Sequence, residues 1–121
     1  MKKDIETRED IEILVTAFYD KLKKDKSLVF IFNDIAKVNW DKHLPIMFDF
    51  FENMIFYTGS YKGNPMIVHK HLDKQISLTS KHFEQWYHLF SSTVDDLFKG
   101  KRAGLVKKRT KRIATVMQIK I

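Results

Sequence analysis

A chain of 121 residues has room for one hydrophobic core, and 44% hydrophobic content with 13% aromatic residues excludes intrinsic disorder. The absence of cysteine excludes disulfides, thiolate metal sites, iron–sulfur clusters and cysteine nucleophiles. Against 15 acidic residues stand 22 Lys and Arg, a net charge of +7 that permits an anionic partner.

Four Gly and two Pro punctuate the chain sparsely, which favours long helices over many short strands, so the expected class is all-α. No repeat or linker divides it, and one domain over 1–121 is expected. The opening MKKDIETRED has no apolar run of signal-peptide length, and no window approaches a membrane span. A soluble, cytoplasmic protein is expected.

The elements follow in order. Thr7-Arg8-Glu9-Asp10 resembles a capping box, with Asp where Glu is usual. Behind it Ile11, Leu14, Val15, Phe18, Tyr19 and Leu22 recur at three- and four-residue spacing, which predicts a helix over 8–24. Residues 28–32 allow one or two helical turns. Asn39 is a good N-cap for a helix over 39–58, striped by Trp40, His43, Leu44, Met47, Phe51, Met54 and Ile55, with Pro45 expected to bend or loosen its first turns. Pro65 opens a short helix over 65–72. Thr79 caps a long helix striped by Phe83, Trp86, Tyr87, Phe90, Val94 and Leu97 and stopped by Gly100. The last helix spans 102–120, with Leu105, Val106, Ile113, Val116 and Met117 facing inward. The basic residues at 101–112 read as its solvated face.

Chemistry rests on the five histidines. His43 lies on the apolar side of its helix, where an imidazole is either a hydrogen-bonded core residue or a ligand. His69 and His71 are about 200° apart around their helix, so one of them at most faces a given pocket. His82 and His88 fall off the apolar stripe. No His-x-x-x-His pair or paired carboxylate completes a zinc site, and no phosphate-binding glycine loop or Gly-x-Ser-x-Gly elbow is present. Isolated histidines among many aromatic residues in a helical chain suit haem, a flat ligand that needs an apolar slot and often a single protein ligand.

Phe18-Tyr19, Ile31-Phe32-Asn33, Trp40-Asp41-Lys42-His43, the run 63–69 (GNPMIVH), His82-Phe83-Glu84-Gln85-Trp86 and Ile113-Ala114-Thr115-Val116-Met117 resemble the group III truncated haemoglobins in order and spacing. That resemblance spans nearly the whole chain from about residue 7 onward and implies a truncated globin fold around haem b (iron protoporphyrin IX). It implies His69 as the iron ligand, with His71 as its rival, and a distal trio of Tyr19, His43 and Trp86. Phe32 matches the phenylalanine that packs on the porphyrin, and Met47, Phe51 and Leu72 are read as further apolar contacts. Tyr61 and Lys62 are candidates for the propionates.

The resemblance further implies O2 and other diatomic ligands, with carriage, NO chemistry and peroxide chemistry all open. A redox partner protein and a monomeric state belong to the same expectation. The alternative is a basic helical nucleic-acid-binding module using residues 101–112. No helix-turn-helix pair or aromatic platform accompanies that stretch, so no nucleic acid is expected.

Overall fold

The computed structural model describes residues 2–26, 28–29, 40–56 and 80–120, with side chains through 115. Among them are four helices and no strand: α1 (Arg8–Lys23), α2 (Trp40–Phe56), α3 (Ser80–Leu97) and α4 (Lys101–Lys120). The all-α expectation holds. The short helix expected over 65–72, and with it Phe32, Tyr61, Lys62, His69, His71 and Leu72, lies outside the described residues.

The start of α1 is written in its first turn. The Thr7 side chain accepts from the Asp10 N–H and the Asp10 carboxylate accepts back from the Thr7 N–H, so both arms of the capping box are present. Acidic residues occupy the first turn and Lys21 and Lys23 the last, which complements the helix dipole at both ends. The predicted stripe from Ile11 to Leu22 is buried throughout. Helix α2 carries Pro45 without a break. Pro45 is exposed and sits in the second turn, where it removes the backbone donor that would pair with the Asp41 carbonyl.

Helix α3 ends at Leu97, before Gly100, and α4 begins directly after it. Ala103, Val106, Thr110 and Ala114 form the buried stripe of α4, whereas Leu105 and Ile113 are half-buried; Val116 and Met117 lie outside the described side chains. Small residues thus carry this interface. Ala103 and Ala114 let backbones approach, and the Thr110 hydroxyl lies 3.8 Å from the Met54 sulfur.

The four helices close a ring of neighbours, α1 on α2 and α3, and α4 on α3 and α2. Charged side chains tie its joints. Arg8 reaches Asp49 and Glu52 across to α2, Lys21 reaches Asp96 on α3, and Lys107 reaches Asp95 between α3 and α4. These exposed pairs orient the helices and add little stability each. The core between them is aromatic: Phe18, Phe51 and Phe90 are almost fully enclosed.

Residues 2–7 form a strap over the α3–α4 corner. The Lys3 carbonyl accepts from the Lys99 N–H, Ile5 is fully buried, and the Asp4 carboxylate accepts from the N–H groups of Arg102 and Ala103. Asp4 therefore caps a helix that begins 97 residues later in the chain. Burial alone would raise the Asp4 and Asp10 carboxyls, but it is outweighed. Backbone N–H groups of Arg102, Ala103 and Ile5, with the Arg102 charge, hold Asp4 below its ordinary 3.8. The Glu6 and Thr7 N–H groups and Lys3 do the same for Asp10.

A carboxyl whose folded pKa is depressed contributes stability that is full above its unfolded pKa and is lost as pH falls through the folded one. Denaturant unfolding should therefore show stability declining below about pH 4. Asp4→Asn and Asp10→Asn should each be less stable at pH 7 and should each flatten that decline. A decline unchanged in both variants would show that other carboxyls cause it.

Candidate functional site

The α1 stripe includes Phe18 and Tyr19, adjacent residues of which Phe18 meets Trp86 and Phe90 on α3 and Tyr19 meets Trp40 and His43 on α2. Tyr19 is 3% exposed and meets His43, on the second turn of α2. The Tyr19 hydroxyl and His43 Nε2 share a hydrogen bond of 3.1 Å, and their rings stand edge to face at 5.1 Å. Burial pushes the Tyr19 phenol far above its usual range, so it is a neutral O–H. The direction of the bond follows the imidazole tautomer. With its proton on Nε2, His43 donates to the phenol oxygen and leaves the phenol proton free to donate elsewhere; with its proton on Nδ1, Nε2 accepts that proton.

Trp86 on α3 is linked to this pair through Phe18. Phe18 stands between them, 4.9 Å from the Tyr19 ring and 5.4 Å from Trp86, edge-on to the latter. Trp86, Phe90 and Phe51 make a stack of nearly parallel rings, at 6.0 Å and 8° for the first pair and 5.1 Å and 13° for the second. This slab, with Phe18 edge-on to Phe90, fixes the plane of the Trp86 indole. No described residue accepts from its N–H. Phe51 is enclosed within the slab, whereas Met47 is half-buried on α2, one turn beyond His43.

Trp40 was not among the predicted site residues, yet its ring stands 5.5 Å from Tyr19 and 5.7 Å from His43, edge-on to both. The Lys23 ammonium lies 4.6 Å above its outer face. Trp40 thus walls the pair from the end of α1. Its place three residues before His43 was the available signal, since positions three apart share a helix face. His88 is exposed and His82 half-buried in the first turn of α3; neither is brought to this site.

Among the described residues no cluster of histidine and carboxylate has the makings of a metal site. Neutral hydrogen-bond donors amid apolar rings fit one side of a haem pocket: they offer donors to a small ligand without a carboxylate to repel its charge. No helix among the described residues is long and apolar enough to cross a membrane.

The model of the bacterial-like globin family matches residues 3–119. The chain is 30% identical over 121 residues to the group 3 truncated hemoglobin ctb of Campylobacter jejuni, an alignment covering 98% of this chain and 93% of that protein. The crystal structure of the group III truncated hemoglobin from Campylobacter jejuni matches with a TM-score of 0.84 at 30% identity, covering 98% of this chain and 94% of that one. The chain therefore belongs to the haem-binding bacterial-like globin family, in its group III truncated haemoglobin branch.

Proposed function

We propose that this protein binds haem b through His69 and takes O2 and other diatomic ligands on the opposite side, facing Tyr19, His43 and Trp86. Haem held there would supply an iron able to bind a small diatomic ligand. The observation that carries the reading is the Tyr19–His43 hydrogen bond, made by a buried phenol among the rings of Phe18 and Trp40. In the Nε2–H tautomer His43 holds the phenol oxygen and directs its proton toward the ligand. The Trp86 N–H is a second donor, held in plane by Phe90 and Phe51. Trp40 and Phe18 exclude water from around the pair, so each donated bond acts in a low dielectric.

Preorganised donors hold a ligand that gathers negative charge, which slows its release and favours chemistry on O2, NO or peroxide over simple carriage. A redox partner that returns the iron to its ferrous state belongs to this reading, as does a monomer.

Stopped-flow release of O2 tests the distal part. A hydrogen bond to a charged group is worth roughly 1.5–3 kcal/mol, so its loss accelerates release by about 10- to 100-fold. Tyr19→Phe and Trp86→Phe should each fall in that range while retaining haem, read from the Soret band. Unchanged release in both variants would remove the polar-pocket reading, and a purified protein that takes up no haem would remove the whole.

A further inference from the structure

The charge of this molecule is distributed unevenly. Eight of its 22 Lys and Arg lie in α4, which contains no acidic residue. The remaining chain has 14 basic and 15 acidic residues, so the whole positive excess belongs to one helix and the body is one charge below neutral.

Part of that charge is used within the fold. Lys107 pairs with Asp95, Arg109 donates to the Met54 carbonyl, and Arg102 donates to the Ile5 carbonyl beneath Phe56. Lys101, Lys108 and Lys111, with Arg112, are different. All four are exposed, and none has an ion pair or hydrogen bond from its side chain to a described residue. Helical geometry puts them within about 100° of the circumference, in a row about 16 Å long. Gly104, where an added Cβ would meet nothing within 4 Å, lies in the same arc and leaves a shallow gap in the row.

We propose that this outward face of α4 is the docking surface for an acidic protein. The arithmetic of charges favours a protein over the other polyanions. Sixteen ångströms of duplex would present about nine phosphates to a single row of four cations, and the row has no aromatic or amide side chain to reach a base. A bilayer surface would meet no apolar side chain in this row from 101 to 112, and peripheral attachment that lasts needs a second, hydrophobic anchor. A protein patch bearing a few carboxylates matches the row in number and spacing, and the near-neutral body leaves the field of α4 to steer its approach. The inner side of α4 is coupled to the site, since Ile113 and Ala114 pack with Trp86 and Phe83. A protein on the outer face would thus lie about one helix diameter, roughly 10 Å, from Trp86.

Binding is measured at about 0.1 M salt, where charges act over about 10 Å, with poly-L-glutamate, phosphatidylserine vesicles and a 20-base-pair duplex as separate probes. One variant carries Lys101→Gln, Lys108→Gln, Lys111→Gln and Arg112→Gln; another has equal net charge through Lys24→Gln, Lys26→Gln, Lys42→Gln and Lys81→Gln. The polyglutamate probe should bind most tightly per anionic charge. Its affinity should fall by about tenfold or more in the α4 variant and by less than about threefold in the other. Equal losses in the two variants, preference for vesicles or duplex, or no binding to polyglutamate would each overturn the proposal. None of these readouts involves haem, so the outcome is independent of the haem-ligand assignment.

Discussion

His69→Gly is expected to release most of the haem, and millimolar imidazole is expected to restore it. The small side chain leaves a space the shape of the missing ring, so free imidazole has both a site and a reason to enter it. The assignment of His69 rests on its place four residues after Pro65 in a segment similar to the group III truncated haemoglobins. His71, two residues on, falls on another side of any helix through 65–72. Loss of a group that merely orients a metal ligand weakens a metal site by about 10- to 100-fold, and loss of the ligand itself should exceed that. The ratio of Soret to protein absorbance after gel filtration gives the result directly. His71→Ala should keep its haem. Haem retained by His69→Gly and lost by His71→Ala would reverse the assignment.

How much of this was legible depended on whether the signal was local. Helix α1 could be read in full, because a capping box and a stripe of large apolar residues are both short-range patterns. The inner face of α4 could be read only at Val106. Its other buried positions are held by Ala103, Thr110 and Ala114, which a stripe of large hydrophobic side chains does not include. The strap formed by residues 2–7 was still less visible. It looks like a polar tail, and the partner that gives Asp4 its role is the far end of the chain.

At the site, Tyr19 and His43 were found through family order, and the structure places them in hydrogen-bond contact. Trp40 was passed over because an aromatic residue on an apolar stripe reads first as core, and only the three-dimensional arrangement shows which rings it stands against. Trp86 is the third member of the trio that the resemblance implies, and Phe18 stands against both its ring and that of Tyr19.

Two glycines four residues apart are expected to respond to alanine with opposite signs. Gly100 has φ +148°, a conformation that a residue with a Cβ resists, and an added Cβ would lie 2.5 Å from Asp4 Cγ and 2.7 Å from Asp4 Cβ. Holding an alanine backbone in that conformation costs about 1–3 kcal/mol. Displacing Asp4 forfeits the cap of α4 as well, about 1 kcal/mol more. Gly100→Ala should thus destabilise by about 2–4 kcal/mol, a large share of the roughly 5–15 kcal/mol that holds a typical domain. Gly104 lies inside α4 with open space around it, so Gly104→Ala should stabilise by about 0.5–1 kcal/mol through helix propensity alone. Urea unfolding at neutral pH measures both, with an unchanged m-value as the sign that only stability has moved. Asp4→Gly removes the colliding atoms. In that background Gly100→Ala should lose the collision and keep the backbone strain, so the two changes together should cost less than their sum. Strict additivity would mean that Asp4 and Gly100 do not meet, and the strap would then not be what holds the α3–α4 corner.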